Sequence, residues 1–125
     1  MFFLSGSKGI SWHDRGDIAA YDYTLADFVD PFVWYTFNLS SIVGIGKHLV
    51  KIRCIITTTT NDQHMYLRTK GYTDVINIHK LLVRTLQKNY DYSILVETDE
   101  NGCIEGYRFG LYFTVINIAI QGWFA

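Results

Sequence analysis

The run at residues 112–123 (YFTVINIAIQGW) constrains the fold more than any other part of the chain. In an extended backbone Tyr112, Thr114, Ile116, Ile118 and Ile120 share one face, and Phe113, Val115, Asn117, Ala119 and Gln121 share the other. Side chains alternate across a strand, so the run predicts one long strand with its isoleucine face turned to a core. A run apolar on both faces suits a central position in a sheet. No helical pattern of comparable clarity occurs elsewhere, and the chain reads as all-β.

The 125 residues suit a single domain, 1–125, with an irregular, partly extended N-terminal segment at 1–32. Aromatic residues make up 16% of the chain, and together with β-branched residues they favour pleated, half-buried surfaces. The formal charge of −1 and the scatter of Lys and Arg between Lys47 and Lys88 lack the basic stripe of a nucleic-acid binder, so no nucleic-acid partner is expected. No stretch approaches the roughly 20 apolar residues of a membrane-spanning helix. Met1–Leu4 is too short for a signal-peptide core, so synthesis in a cytoplasm without secretion is expected. Cys54 falls in the inward series Val50, Ile52, Cys54, Ile56 and reads as a small buried hydrophobe; pairing with Cys103 stays open.

Along the chain, glycines 6, 9 and 16 and the only proline, Pro31, punctuate an acidic start, with short strands at 10–13 and 20–24 and a helical turn or loop at 24–29. Tyr35, Phe37 and Leu39 alternate with polar residues, and 40–46 connects onward. Residues 48–57 form a strand with Lys51 and Arg53 outward, and 63–68 form another with Met65 and Leu67 inward. The stretch 75–88 fits either a helix or strands, and two short strands are favoured. Tyr92, Ile94 and Val96 share a face of a strand at 92–98. Asp99 to Gly102 is the strongest turn signal, since Asn-Gly supplies the positive φ angles of a tight hairpin. A return strand at 103–107, a turn at Phe109–Gly110 and the terminal run complete about eight strands. Their spacing predicts an antiparallel β-sandwich or small barrel.

Chemistry-bearing motifs are few. His13, His48, His64 and His79 lack the spacing of a metal motif, and Ser40–Ser41 lacks the glycines of a nucleophile elbow. The five N-terminal aspartates have no calcium-loop spacing and read as a solvated acidic surface. The Arg-Gly-Asp tripeptide at 15–17 fits a turn between Asp14 and Asp17 as well as it fits an adhesion motif. No catalytic residue, cofactor or metal is expected. Trp34 precedes the inward series and should point outward, which makes it the candidate contact for a glycan or a neighbouring subunit.

The ordered pattern DRGD at 14–17, WYTFNLSSIV at 34–43, LVKIR at 49–53, Leu67–Arg68 with Gly71, the 99–102 turn and INIAIQGW at 116–123 resembles a group of small β-proteins of tailed-phage and prophage structural regions. The resemblance spans about residues 13 to 123. It implies a virion module of the head-decoration, head-fibre or tail-tip type, built as a jelly roll, without catalytic residues. From it follow the expectations of a self-assembling virion protein, as a trimer, contacting other virion proteins and a cell-surface glycan. A free-standing carbohydrate-binding β-sandwich is the alternative.

If Ile118 lies on the buried face of a central strand, Ile118→Ala removes a buried side chain and leaves a cavity, a loss of about 2–5 kcal/mol. Thermal melts should place Ile118→Ala far below wild type and Asn117→Ser close to it. Equal melting temperatures would contradict the facing of this strand.

Overall fold

The structure is a computed structural model that describes residues 9–125; Met1–Leu4 and Gly6, read above for a leader and a turn, lie outside the described residues. Among the described residues nine strands run in chain order: β1 (Trp12–Asp14), β2 (Tyr23–Thr24), β3 (Tyr35–Asn38), β4 (Leu49–Thr58), β5 (Gln63–Thr69), β6 (His79–Val83), β7 (Tyr90–Glu97), β8 (Cys103–Phe109) and β9 (Phe113–Phe124). A turn of helix, α1 (Ser40–Val43), and 3₁₀ turns at Leu25–Asp27 and Val75–Asn77 fill connections between them.

The strands form two antiparallel sheets. Sheet A has the order β1-β9-β4-β7, with β2 also paired to β9, and sheet B has the order β3-β8-β5-β6. With β1 and β2 counted as one interrupted strand, the pairs β1/β2–β9, β3–β8, β4–β7 and β5–β6 are nested. The chain is one long hairpin, its tip at β5–β6, rolled so that successive pairs fall alternately in sheets A and B. This is a jelly-roll arrangement, a sandwich as the strand spacing allowed and of the type the resemblance implied.

The core lies between the sheets. Val50, Ile52, Cys54 and Ile56 of β4, Met65 and Leu67 of β5, Leu81 and Val83 of β6 and Ile116, Ile118 and Ile120 of β9 are all buried there. Lys51 and Arg53 face outward as expected, and Arg53 forms a bidentate surface ion pair with Asp91 at 2.6 Å. Cys54 and Cys103 are both free thiols, and burial, with the nearby Asp91 carboxylate, pushes the Cys54 thiol up to about 12.

The two ends of β9 depart from strict alternation. The β4–β9 register shifts between Thr57 and Thr58 and again between Lys51 and Ile52. Thr114 and Gln121 are the residues passed over, and each bulge reverses the facing of what lies beyond it. Phe113 is therefore buried in the core while Tyr112 and Thr114 are exposed, the opposite of the expected facing. At the other end Trp123 packs against the core opposite Val50.

Two further expectations are corrected. Residues 75–88 contain one strand, β6, preceded by the 3₁₀ turn, instead of two strands. Residues 40–46 are a connection as expected and begin with a helical turn whose N-cap, Leu39, supplies no cap, while Asn38 Oδ1 accepts the Ser40 amide at 2.9 Å. The turn at Asp99–Gly102 is no hairpin between paired strands: it carries the chain from β7 in sheet A to β8 in sheet B. Only Gly102 has positive φ there, at 81°, and Asp99 Oδ1 accepts from the amides of Asn101 and Cys103.

A side chain at Gly102 would be strained by that φ, and its Cβ would stand 2.9 Å from the Gly44 carbonyl oxygen. Gly102→Val should cost roughly 1–3 kcal/mol, seen as a lower denaturant midpoint; an unchanged midpoint would contradict this corner.

Candidate functional site

The outer face of sheet B carries an ordered set of side chains. Alternation along β5 turns Met65 and Leu67 inward and His64, Tyr66 and Arg68 outward; on β8 it turns Glu105, Tyr107 and Phe109 outward. The register then sets His64 opposite Phe109, Tyr66 opposite Tyr107, and Arg68 opposite Glu105. Lys80 of β6 stands beside Tyr66 on the far side. Cross-strand aromatic and opposite-charge pairs of this kind are the units that stabilise a sheet face.

The rings are in mutual contact. His64 stacks on Phe109 with centroids 4.5 Å apart, and its Nε2 lies 2.9 Å from the Tyr66 hydroxyl. Tyr66 and Tyr107 are 5.6 Å apart. Phe32, 51% exposed, sets its edge on Phe109 at 5.2 Å. Trp34, from the segment entering β3, lies 5.0 Å from Tyr107 and 6.1 Å from Tyr66. The Arg68 guanidinium covers one face of Trp34, 3.6 Å from the ring centre, in a cation–π contact. Its Nε donates to Glu105 Oε1 at 3.0 Å, and the same oxygen accepts the Gly71 amide at 3.2 Å.

Between these rings and the Val75–Asn77 turn lies an open groove of about 440 Å³, within the usual range for small-molecule sites. Trp34, Tyr66, Tyr107 and Phe109 form its floor, and Arg68 and Lys80 supply its charges. Trp34 thus lies on the outer side of sheet B as expected, half-buried, as one member of a larger aromatic surface. Tyr66, Tyr107, Phe109, His64 and Arg68 were missed as a group. The outward positions 64, 66 and 68 follow from the inward Met65 and Leu67, but only the β5–β8 register reveals that they meet 109, 107 and 105.

Sheet A presents a different outer face. Trp12, 41% exposed, lays its indole over Gly122, where no Cβ would fit, and meets Phe124 at 5.0 Å. With Leu95, 45% exposed, and the stem of Lys51 they line a shallow apolar hollow of about 430 Å³. It opens beside β7, which pairs with β4 on one side only among the described residues. Farther along β9 the segment 15–22 covers the sheet: Arg15 Nη1 donates to Asp22 Oδ2 at 2.6 Å and to the Ile120 carbonyl at 3.0 Å. The arginine of Arg-Gly-Asp is held within the chain, and Gly16 N donates to Asp14 Oδ1, closing the turn there.

Among the described residues no three His, Cys, Asp or Glu side chains gather as a metal would require, and no helix is long and apolar enough to cross a membrane. No protein-family model, curated protein or solved structure matches the chain.

Burial, reinforced by the charge of Lys80, holds the His64 imidazole below its ordinary value of 6.5, and burial does the same for His79. With folded values depressed, the unfolded chain binds more protons, so this stability is complete above the ordinary value and is lost as pH falls through the folded ones. The melting temperature should fall as pH drops below about 6.5, and His64→Gln should reduce the drop. A melt independent of pH below that value would contradict the packing of His64 on Phe109.

Proposed function

We propose that the chain is a non-enzymatic virion structural protein of the tailed-phage or prophage kind, which self-assembles through sheet A and keeps sheet B for surface recognition. The sequence pattern at 14–17, 34–43 and 116–123 supports the first half of this reading. The jelly roll is compatible with it, since viral capsid and lectin domains share that architecture, although a fold alone carries no function.

The observation that carries the proposal is the pair of hydrophobic surfaces exposed on opposite faces of the sandwich, the aromatics of sheet B and, on sheet A, Trp12 and Leu95. A small monomer rarely leaves one large apolar patch open without use, and here two differ in kind. The sheet A hollow is apolar, with Trp12 and Leu95 exposed in it, and adjoins β7, whose second edge is unpaired among the described residues. Closed symmetric association covers such an edge, and a trimer is the form proposed. The sheet B surface mixes Trp, Tyr and Arg, the residues that dominate binding hot spots. A free-standing carbohydrate-binding module is favoured by the sheet B groove taken alone, and it needs no contact at sheet A.

Size-exclusion chromatography with light scattering separates the two. The proposal expects a trimer at low micromolar concentration, converted to monomer by Leu95→Lys, which puts a charge in the sheet A hollow without touching the core. A wild-type monomer throughout the micromolar range would overturn assembly and leave the binding-module reading.

A further inference from the structure

We propose that the sheet B groove binds an acidic glycan, with sugar rings packed on Tyr107 and Phe109 and a carboxylate of the saccharide at Lys80. This rests on the reading of sheet B as the recognition surface and names what is recognised.

Charge sets the chemistry. The groove is lined by two cations, Arg68 and Lys80, and by no carboxylate. Glu105, cross-strand from Arg68, is engaged by Arg68 Nε and the Gly71 amide, and Asp74, between the lining residues Thr73 and Val75, is exposed and does not line the groove. Arg68 is thereby neutralised and is also packed on Trp34, so it acts as a wall of the groove. Lys80 is exposed and forms no ion pair among the described residues. It leaves one uncompensated positive charge beside an aromatic floor. A carboxylate at Lys80 forms a charge-assisted hydrogen bond, the stronger class of polar contact.

Shape and polarity narrow the ligand further. Saccharides present apolar C–H faces and a rim of hydroxyls. The floor offers ring surface for the first, and the hydroxyls of Tyr66, Tyr107 and Thr73 border the groove for the second. Arg68 covers one face of Trp34 and His64 stacks on one face of Phe109, so the ring surface left to a sugar is the rest of the 43% exposed Phe109 and the half-buried Tyr107 beside it. Val75, 82% exposed, closes the opposite side with an apolar edge. Single-stranded nucleic acid also stacks on aromatic rings, but it requires a basic groove that follows a chain of phosphates. One free lysine in a protein of net charge −1 matches a ligand with sparse charge.

The test is a titration followed by tryptophan fluorescence, with a galacturonic acid tetramer, neutral maltotetraose and an oligothymidylate as probes. The acidic tetramer should bind saturably and about tenfold more tightly than the neutral one. Lys80→Gln, at an exposed position, should remove that preference and leave the weak neutral binding unchanged. Tyr107→Ala should abolish binding of both saccharides. Equal affinity for the two saccharides, no saturation at millimolar concentration, or tighter binding of the oligothymidylate would overturn the proposal. The light-scattering result stays separate: a trimer without acidic-glycan binding sinks this inference alone, and a monomer that binds the acidic tetramer sinks assembly alone.

Discussion

The pairing of β4 with β9 is the interaction on which the remaining structure depends. Ile52, Cys54 and Ile56 stand opposite Ile120, Ile118 and Ile116 in an unbroken antiparallel register, all buried beneath sheet B. Each such isoleucine is worth about 1.5–3 kcal/mol when fully buried, a large part of the 5–15 kcal/mol by which domains are stable. The two strands belong to distant parts of the chain and meet only when the long hairpin rolls up. Once they are joined, β1 and β2 add to the open side of β9 and β7 adds to the open side of β4, completing sheet A.

The ends of that ladder show what alternation in a sequence can and cannot reveal. Between Ile116 and Ile120 the period of two held, because one face is buried beneath sheet B and the pairing with Ile52–Ile56 is uninterrupted. Thr114 and Gln121 broke it, and no residue type announces a bulge. The fold class was legible because strand-length apolar runs recur along the chain. The sheet to which each strand belongs was not, and so the Asp99–Gly102 turn read as a hairpin although it crosses between layers. Only part of the stretch 75–88 became strand: Val75 and Ile76, apolar yet 82% and 89% exposed, lie in a 3₁₀ turn. Trp34 was legible as outward from its neighbours, whereas its partners Tyr66 and Tyr107 meet it only through the β3–β8–β5 order.

Buried polar contacts fasten the irregular N-terminal segment to this frame. Arg108 points inward from β8, and its guanidinium donates to the carbonyls of Phe28, Val29 and Gly110 at 2.9–3.0 Å. Satisfying backbone acceptors in this way offsets the cost of burying the charged group. Phe28 is thereby held over Phe37 at 5.1 Å, and the chain is led to Phe32 and Trp34 at the margin of the aromatic face. On the other layer Arg15 and Asp22 fix the segment 15–22 to the edge of β9, since Asp22 Oδ2 accepts both Arg15 Nη1 and the Ile120 amide. The two outer faces thus differ because two arginines pin the same segment at different points. It leaves Trp12 and Leu95 uncovered on sheet A and the groove uncovered on sheet B.

The central claim is that β9 crosses sheet A with a bulge at each end, so that Phe113, Ile116, Ile118, Ile120 and Trp123 all serve one core. Nuclear Overhauser contacts from the Phe113 and Trp123 rings, measured on labelled protein in solution, test it most directly. The structure predicts that both rings contact the core, with Phe113 near the methyl groups around Thr58 and Trp123 near Val50, while Tyr112 shows no core contacts. Core contacts from Tyr112, with Phe113 and Trp123 facing solvent, would mean strict alternation along the strand and would contradict the register on which both faces depend.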